Sequence, residues 1–263
     1  MKATRVIVLT AGLVLAALPA SARITRSRSS ASTTAAPGGK PSLLTPFYSL
    51  VIGSSFEYQS DKEQTEYGFP ILIEYNFSER IKLTIEPKFA KIVGKNPATR
   101  SVSGFGDLET TVGYEFLSER RYRPALSLEG TIRWPTAEYP DLGEPGRDYT
   151  FGLIASKDLV LVSIDLNVTY TFTGAREQDD TVEVSLATEW RVNHYVGLIA
   201  EVAHVRRMGS VGGPGSGERG ETEATVGFSW QVSKYLKCEQ GVVFKEHGTW
   251  EAVFAWEWDF GGE

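Results

Sequence analysis

The chain has 263 residues, of which 41% are hydrophobic, and a formal net charge of −6. The acidic balance argues against nucleic acid as a partner. Cys238 is the single cysteine, which excludes an intramolecular disulfide and argues against a cysteine-based zinc site. The length suits one large all-β domain.

The first 22 residues predict a secretory signal peptide. Lys2 and Arg5 make a basic start, residues 6–18 form an apolar core, and Pro19-Ala20-Ser21-Ala22 ends in a small-x-small pattern. The apolar core is too short to span a bilayer comfortably as a helix, so an uncleaved anchor is the less favoured alternative. We expect cleavage after Ala22. No later apolar run is long enough for a helical membrane span.

Residues 23–46 predict a flexible periplasmic leader. They are rich in Ser, Thr, Ala, Pro and Gly, carry four basic groups, and show neither a helical nor a strand period. A disordered N-terminus is the simpler interpretation, and a partner tether or partial plug of a pore is the alternative.

From residue 47 to residue 263, polar and apolar residues alternate in about twelve segments. The stretch "SGFGDLETTVGYEF" is an example: Asp107, Glu109 and Glu115 hold odd positions, while Leu108 and Val112 hold even ones. A period of two predicts strands, because successive side chains of a strand point to opposite faces. The pattern therefore predicts an all-β domain.

The links between these segments alternate in length. Links such as Ser78-Glu79-Arg80, Lys157-Asp158-Leu159 and Val192-Asn193-His194 are tight, whereas those near 94–103, 136–147 and 206–220 are longer and rich in Gly or Pro. Short periplasmic turns and long outer loops are typical of bacterial outer-membrane barrels. Aromatic residues also fall at both strand ends, as in the two aromatic belts of such barrels. A soluble β-sandwich explains the alternation but not these two features.

The fold prediction is thus an antiparallel up-and-down transmembrane β-barrel of about 12 strands in the bacterial outer membrane. The apolar face meets lipid and the charged face meets the lumen, because a charged side chain on the lipid face is costly. Outer-membrane lipid and the barrel-assembly machinery are the expected partners. The candidate lumen-lining residues are Glu86, Asp107, Glu109, Glu115, Glu129, Arg133, Glu183, Glu189, Glu201, Glu223, Glu239 and Glu257.

Carboxylates outnumber basic groups on this face, which also carries Lys82, Lys88, Lys237 and Lys245. An open lumen of this kind favours cations or neutral solutes over anions. The alternative is a lumen filled by cross-strand ion pairs that conducts little, because twelve strands lie between filled small barrels and open porins.

Several stretches in order resemble one family. "GFGDLETTVGYEF", "RPALSLEGTIRWPTAEY", "LGEPGRDYTFGLIASKDLVLVSIDLNVTYTFTG" and "AVFAWEWDF" resemble the outer-membrane barrels named for the MetA pathway of phenol degradation, which are described as transporters. The resemblance implies passage of small, often aromatic, molecules, and it supplies no catalytic residues. One departure is that Phe260 is followed by Gly261-Gly262-Glu263, whereas such barrels usually end on an aromatic residue.

The sequence predicts no catalytic, cofactor-binding or metal-binding residues. His204 lies on the predicted lipid face, where an outer-membrane lipid hydrolase would also need a serine within hydrogen-bond reach, and the sequence indicates no such partner. The three histidines share no metal-ligand spacing. Asp141, Glu144 and Asp148 match no calcium-binding loop.

The functional prediction is an outer-membrane channel or facilitator for passive passage of small molecules, with aromatic or neutral solutes as the candidate class and an acidic lumen as the route. Residues 136–147 or the leader would gate it. A non-conducting structural barrel and a lipid-modifying enzyme are the alternatives.

Overall fold

The structure is a computed structural model that describes residues 49–60, 64–95, 101–175, 178–208, 220–246 and 249–260. The predicted signal peptide and leader lie outside these residues. The strands are β1 (Ser49–Ser60), β2 (Gln64–Asn76), β3 (Ile81–Gly94), β4 (Val102–Leu117), β5 (Ala125–Trp134), β6 (Asp148–Leu159), β7 (Val162–Phe172), β8 (Thr181–Arg191), β9 (Val196–Arg207), β10 (Glu221–Gln231), β11 (Leu236–Lys245) and β12 (Trp250–Asp259). One 3₁₀ turn, Pro140–Leu142, interrupts the β5–β6 loop.

Each strand pairs antiparallel with its neighbours in sequence, and β1 pairs with β12 to close the sheet. The seam runs from Val51 opposite Asp259 to Ser60 opposite Trp250. Closure removes the sheet edges, so every strand has hydrogen-bonding neighbours on both sides. The prediction of an up-and-down barrel with about 12 strands is confirmed. Among the described residues, none of the helical segments has the length and apolar character that crossing a bilayer requires.

The two faces of the sheet differ as the alternation predicts. Large apolar side chains on one face are exposed, and they include Ile71, Val112, Leu128, Phe151, Leu186, Leu198 and Val226. The residues between them are mostly polar, charged or small, with a few apolar side chains such as Ile154 and Val243, and they are mostly buried or half-buried. This is the inverse of a soluble protein, and it suits a barrel surrounded by lipid.

Two details of the sequence prediction are wrong. The turn predicted at Lys157-Asp158-Leu159 lies two residues later, because β6 continues to Leu159 and β7 begins at Val162. The period of two in Val160, Val162 and Ile164 also predicts that Val160 belongs to the strand that follows, whereas Val160 occupies this turn and is 90% exposed. The error arose because Leu159 to Val162 is a continuous apolar run, so neither polarity nor a glycine marks the turn.

The opening stretch of β4 contains a bulge that changes its alternation. Pro87 pairs with Leu108, whereas Phe89 pairs with Phe105, so β4 has one extra residue between these pairs. Phe105 is therefore 61% exposed on the outer face although its number is odd. Gly104, Gly106 and Asp107 are buried.

A charged inner face and a loop fixed against it

The concave face can be identified from a contact between alternate strands. Lys82 on β3 lies opposite Gly113 on β4, which in turn lies opposite Glu129 on β5. The Lys82 side chain passes over Gly113, and its Nζ lies 3.0 Å from Glu129 Oε1. Side chains two strands apart converge only on the concave side of a closed sheet. We call the face that carries Lys82 the inner face.

Glycine makes this crossing possible. A Cβ added to Gly113 would lie 2.8 Å from the Cε of Lys82, too close for the lysine to keep its path. Gly68 serves a second crossing, in which Lys88 Nζ lies 3.0 Å from Glu57 Oε2. At Gly197, a Cβ would overlap the bond of 2.8 Å that Ser229 Oγ donates to Glu189 Oε1.

The basic groups predicted on the inner face all have acidic partners. Lys82 contacts Glu74 and Glu129, Lys88 contacts Glu57, and Arg133 contacts Asp148. Further along the sheet, Lys237 pairs with Glu239, and Lys245 pairs with Glu251 while it also donates to Gln59. Each of these basic groups is therefore balanced locally by a carboxylate.

The twelve candidate residues alternate with the exposed apolar face, and none of them is exposed. Asp107, Glu115, Glu129 and Glu189 are buried, and the other eight are half-buried. Glu86 and Glu109 lie directly opposite each other on β3 and β4. Glu115 is 0% exposed, and its two carboxylate oxygens have no hydrogen-bond partner among the described residues. That these side chains line a conducting pathway stays a prediction.

Asp107 differs from the other candidates because a loop covers it. Its Oδ1 accepts hydrogen bonds of 3.1 Å from the backbone N–H groups of Thr136 and Ala137, and its Oδ2 accepts one of 2.8 Å from Glu144. The sequence placed Asp107 on the correct strand but gave no sign of these bonds, because they join residues about 30 positions apart.

His204 has a partner that the sequence analysis missed. It is exposed on the outer face of β9, and its Nδ1 lies 3.0 Å from the Oγ1 of Thr222 on β10. Thr222 lies opposite His204 in the β9–β10 register, which no pattern within either strand reveals. Within the described part of the chain, no cluster of three or more His, Cys, Asp or Glu side chains is suited to hold a metal ion.

Comparison with known proteins places this geometry in a family. A family model described as "Putative MetA-pathway of phenol degradation" matches residues 37–245. No match was found among curated proteins.

Three solved structures share the barrel fold. The COG4313 outer membrane channel from Pseudomonas putida F1 has a TM-score of 0.69 and 13% sequence identity, covering 84% of this chain and 100% of that one. The NanC porin has a TM-score of 0.57 at 8% identity, covering 79% and 98%. The KdgM porin in complex with disordered oligogalacturonate has a TM-score of 0.55 at 11% identity, covering 78% and 98%. At these identities the likeness establishes the fold alone.

Proposed function

The chain belongs to the family named for the MetA pathway of phenol degradation, and we propose that it is an outer-membrane channel for passive passage of small molecules. The observation that carries the proposal is a closed twelve-stranded barrel with an exposed apolar outer face and buried polar and charged side chains on its inner face. The similar solved proteins, a channel and two porins, support the same role.

The proposed mechanism is diffusion along the inner face, with selection by charge. Because the basic groups each contact a carboxylate, the carboxylates in excess set the potential in the lumen. A negative pathway with walls of low dielectric constant concentrates cations, admits neutral solutes and repels anions. Small neutral aromatic molecules are the solute class that the family name suggests, and the polar lumen suits those that carry hydroxyl groups.

The proposal also covers the export of the chain and its insertion into the outer membrane. Residues 1–22 would direct secretion and be removed, residues 23–46 would form a periplasmic leader, and the barrel would be inserted by the assembly machinery into outer-membrane lipid. Mass spectrometry of the mature N-terminus, from cells in which the protein is found in the outer-membrane fraction, tests the cleavage after Ala22.

Single-channel recording of the refolded mature chain under a salt gradient tests the channel function. We expect steady conductance and a reversal potential that indicates cation preference. Glu86→Gln and Glu109→Gln should each reduce this preference, because both carboxylates lie midway along the inner face. Glu79→Gln is the matched control, since Glu79 is exposed in the β2–β3 turn.

Absence of conductance from well-folded protein would refute the channel function and favour a non-conducting structural barrel. The paired inner face is the observation behind that alternative, since ion pairs between neighbouring strands can also fill a lumen.

A further inference from the structure

The β5–β6 loop, residues 135–147, is bound along the beginning of β4 by backbone and side-chain contacts. Besides the three bonds to Asp107, the N–H of Glu138 donates to the carbonyl oxygen of Phe105 at 2.9 Å. The N–H of Leu108 donates to Thr136 Oγ1, also at 2.9 Å. We call residues 135–147 the shelf. These bonds satisfy backbone groups of β4 at and beyond the end of its pairing with β5, which stops at Leu108 opposite Trp134.

The shelf lies on the inner side of the wall. Phe105 points outward, so the neighbouring Gly104 and Gly106 present their missing side chains to the inner side. A Cβ on Gly104 would lie 2.5 Å from Glu138 Oε2, and one on Gly106 would lie 3.0 Å from the carbonyl oxygen of Leu142. The two glycines therefore allow the shelf to lie directly against the sheet.

The height of the shelf follows from the aromatic rings on the other side of the same wall. Phe105 packs against Phe89 with ring centroids 5.8 Å apart, and Phe89 packs against Phe69 at 6.5 Å. Outward aromatic rings near the strand ends mark the boundary between lipid and water in barrels of this kind. The shelf thus lies inside the barrel at the level of the outer interface, where the solute would enter.

The far end of the shelf is fixed as well. The Arg147 guanidinium lies 4.5 Å from the centre of the Trp134 ring, and Gln178 of the β7–β8 loop donates to the Glu144 carboxylate at 2.7 Å. Asp148, directly after the shelf, pairs with Arg133 and accepts a hydrogen bond from the N–H of Gly174. Between the fixed points, the side chains of Glu138 and Asp141 are exposed.

We propose that Asp107 is a positioning residue: it holds the shelf against the inner face of β3 and β4, and so fixes Glu138 as a selecting charge at the outer end of the solute pathway. The proposal rests on the proposed channel function. Asp107 does not contact the solute, because both of its oxygens are occupied by the shelf. It acts on selectivity through the position of Glu138.

Mobility of the shelf can be measured without conductance. A nitroxide attached to Asp141→Cys in the Cys238→Ser chain reports motion of the 3₁₀ turn in the refolded protein. We expect a broad, immobilised spectrum when Asp107 is intact and a sharper, mobile one with Asp107→Ala. Asp107→Asn should be intermediate, because an amide can keep Oδ1 as acceptor but presents N–H groups to the N–H of Glu144.

Gly143→Ala tests the position of the shelf without changing the charge of the chain. Gly143 has an extended backbone, with φ of −153°, so alanine causes no backbone strain. Its Cβ would overlap Ala137 and lie 2.5 Å from Asp107 Oδ1, which displaces the shelf while the net charge is unchanged. We expect a mobile spectrum here too. Immobilised spectra in both Asp107→Ala and Gly143→Ala, with heat-modifiable migration showing folded barrels, would overturn the positioning role.

Conductance then tests the consequence for the channel. With Asp107→Ala and Gly143→Ala we expect larger open-channel noise and a loss of part of the cation preference. Glu138→Gln should lower the preference by a similar amount while the shelf stays immobilised, because only the charge is removed. A preference unchanged in Glu138→Gln would refute Glu138 as the outer selecting charge. Absence of conductance in the native chain would instead refute the channel function. The nitroxide spectra would still test the positioning role of Asp107.

Discussion

The pair Lys82 and Lys88 offers a matched test of how burial determines the strength of inner-face ion pairs. Both lysines lie on the inner face of β3, and each Nζ is 3.0 Å from a glutamate oxygen across a glycine. The side chain of Lys82 is 1% exposed and its partner Glu129 is 8% exposed. The side chain of Lys88 is 33% exposed and its partner Glu57 is 23% exposed.

Replacement by methionine keeps most of the side-chain volume and removes the charge. Loss of one partner from a buried pair leaves an uncompensated charge, so Lys82→Met should lower the free energy of unfolding by about 3 to 5 kcal/mol. Water reaches the Lys88 pair, so Lys88→Met should lower it by only about 0 to 1 kcal/mol.

When Lys82 is lost, the Glu74 carboxylate keeps its hydrogen bonds from Asn76 and Thr84. Glu129 is therefore the carboxylate that is left buried without a countercharge. The double variant Lys82→Met with Glu129→Gln should therefore recover part of the loss. Equilibrium urea unfolding of the refolded barrel in lipid vesicles, followed by the fluorescence of its six tryptophans, gives these differences. A Lys82→Met barrel within about 1 kcal/mol of the native value would contradict the assignment of this pair as a buried one.

Two further predictions concern a glycine crossing and an outer-face dyad. Gly113→Ala should lower the free energy of unfolding by about 1 to 3 kcal/mol, because its methyl group meets the stem of Lys82, while Gly130→Ala, with nothing within 4 Å of its Cβ, should not lower it; urea unfolding compares the two. His204→Ala and Thr222→Val should leave conductance unchanged, and the native chain should release no fatty acid from labelled phospholipid or lipopolysaccharide, since the described residues give His204 no carboxylate to orient its ring. Release that His204→Ala abolishes would establish the lipid-modifying alternative.

The sequence predicted the barrel because its signals are local. Alternation within each strand identifies the two faces, and tight turns such as the one between Asn76 and Ile81 need only a few residues to be recognised. The turn at Val160 and Leu161 is the instructive failure, because it is as apolar as the strands that it joins.

The missing features of the site depend on register between strands. Asp107 and Glu144, or His204 and Thr222, meet only because the sheet brings distant positions together. The bulge at the start of β4 was also missed, since both charges of "SGFGDLE", Asp107 and Glu109, fall at odd positions and the extra residue becomes evident only against β3.

Glu86 lies directly opposite Glu109, whereas Glu129 is paired with Lys82. This difference distinguishes carboxylates that act in selectivity from those that stabilise the barrel. Like charges directly opposite each other on neighbouring strands destabilise a sheet, whereas Glu129 stabilises it through Lys82. Glu86→Gln should therefore raise the free energy of unfolding, by roughly 0.2 to 1 kcal/mol, while it weakens cation preference. Glu129→Gln should lower the free energy of unfolding, because it leaves Lys82 with Glu74 alone at 3.7 Å. If Glu86→Gln destabilises the barrel as Glu129→Gln does, the inner carboxylates are structural and the selective lumen loses its main support.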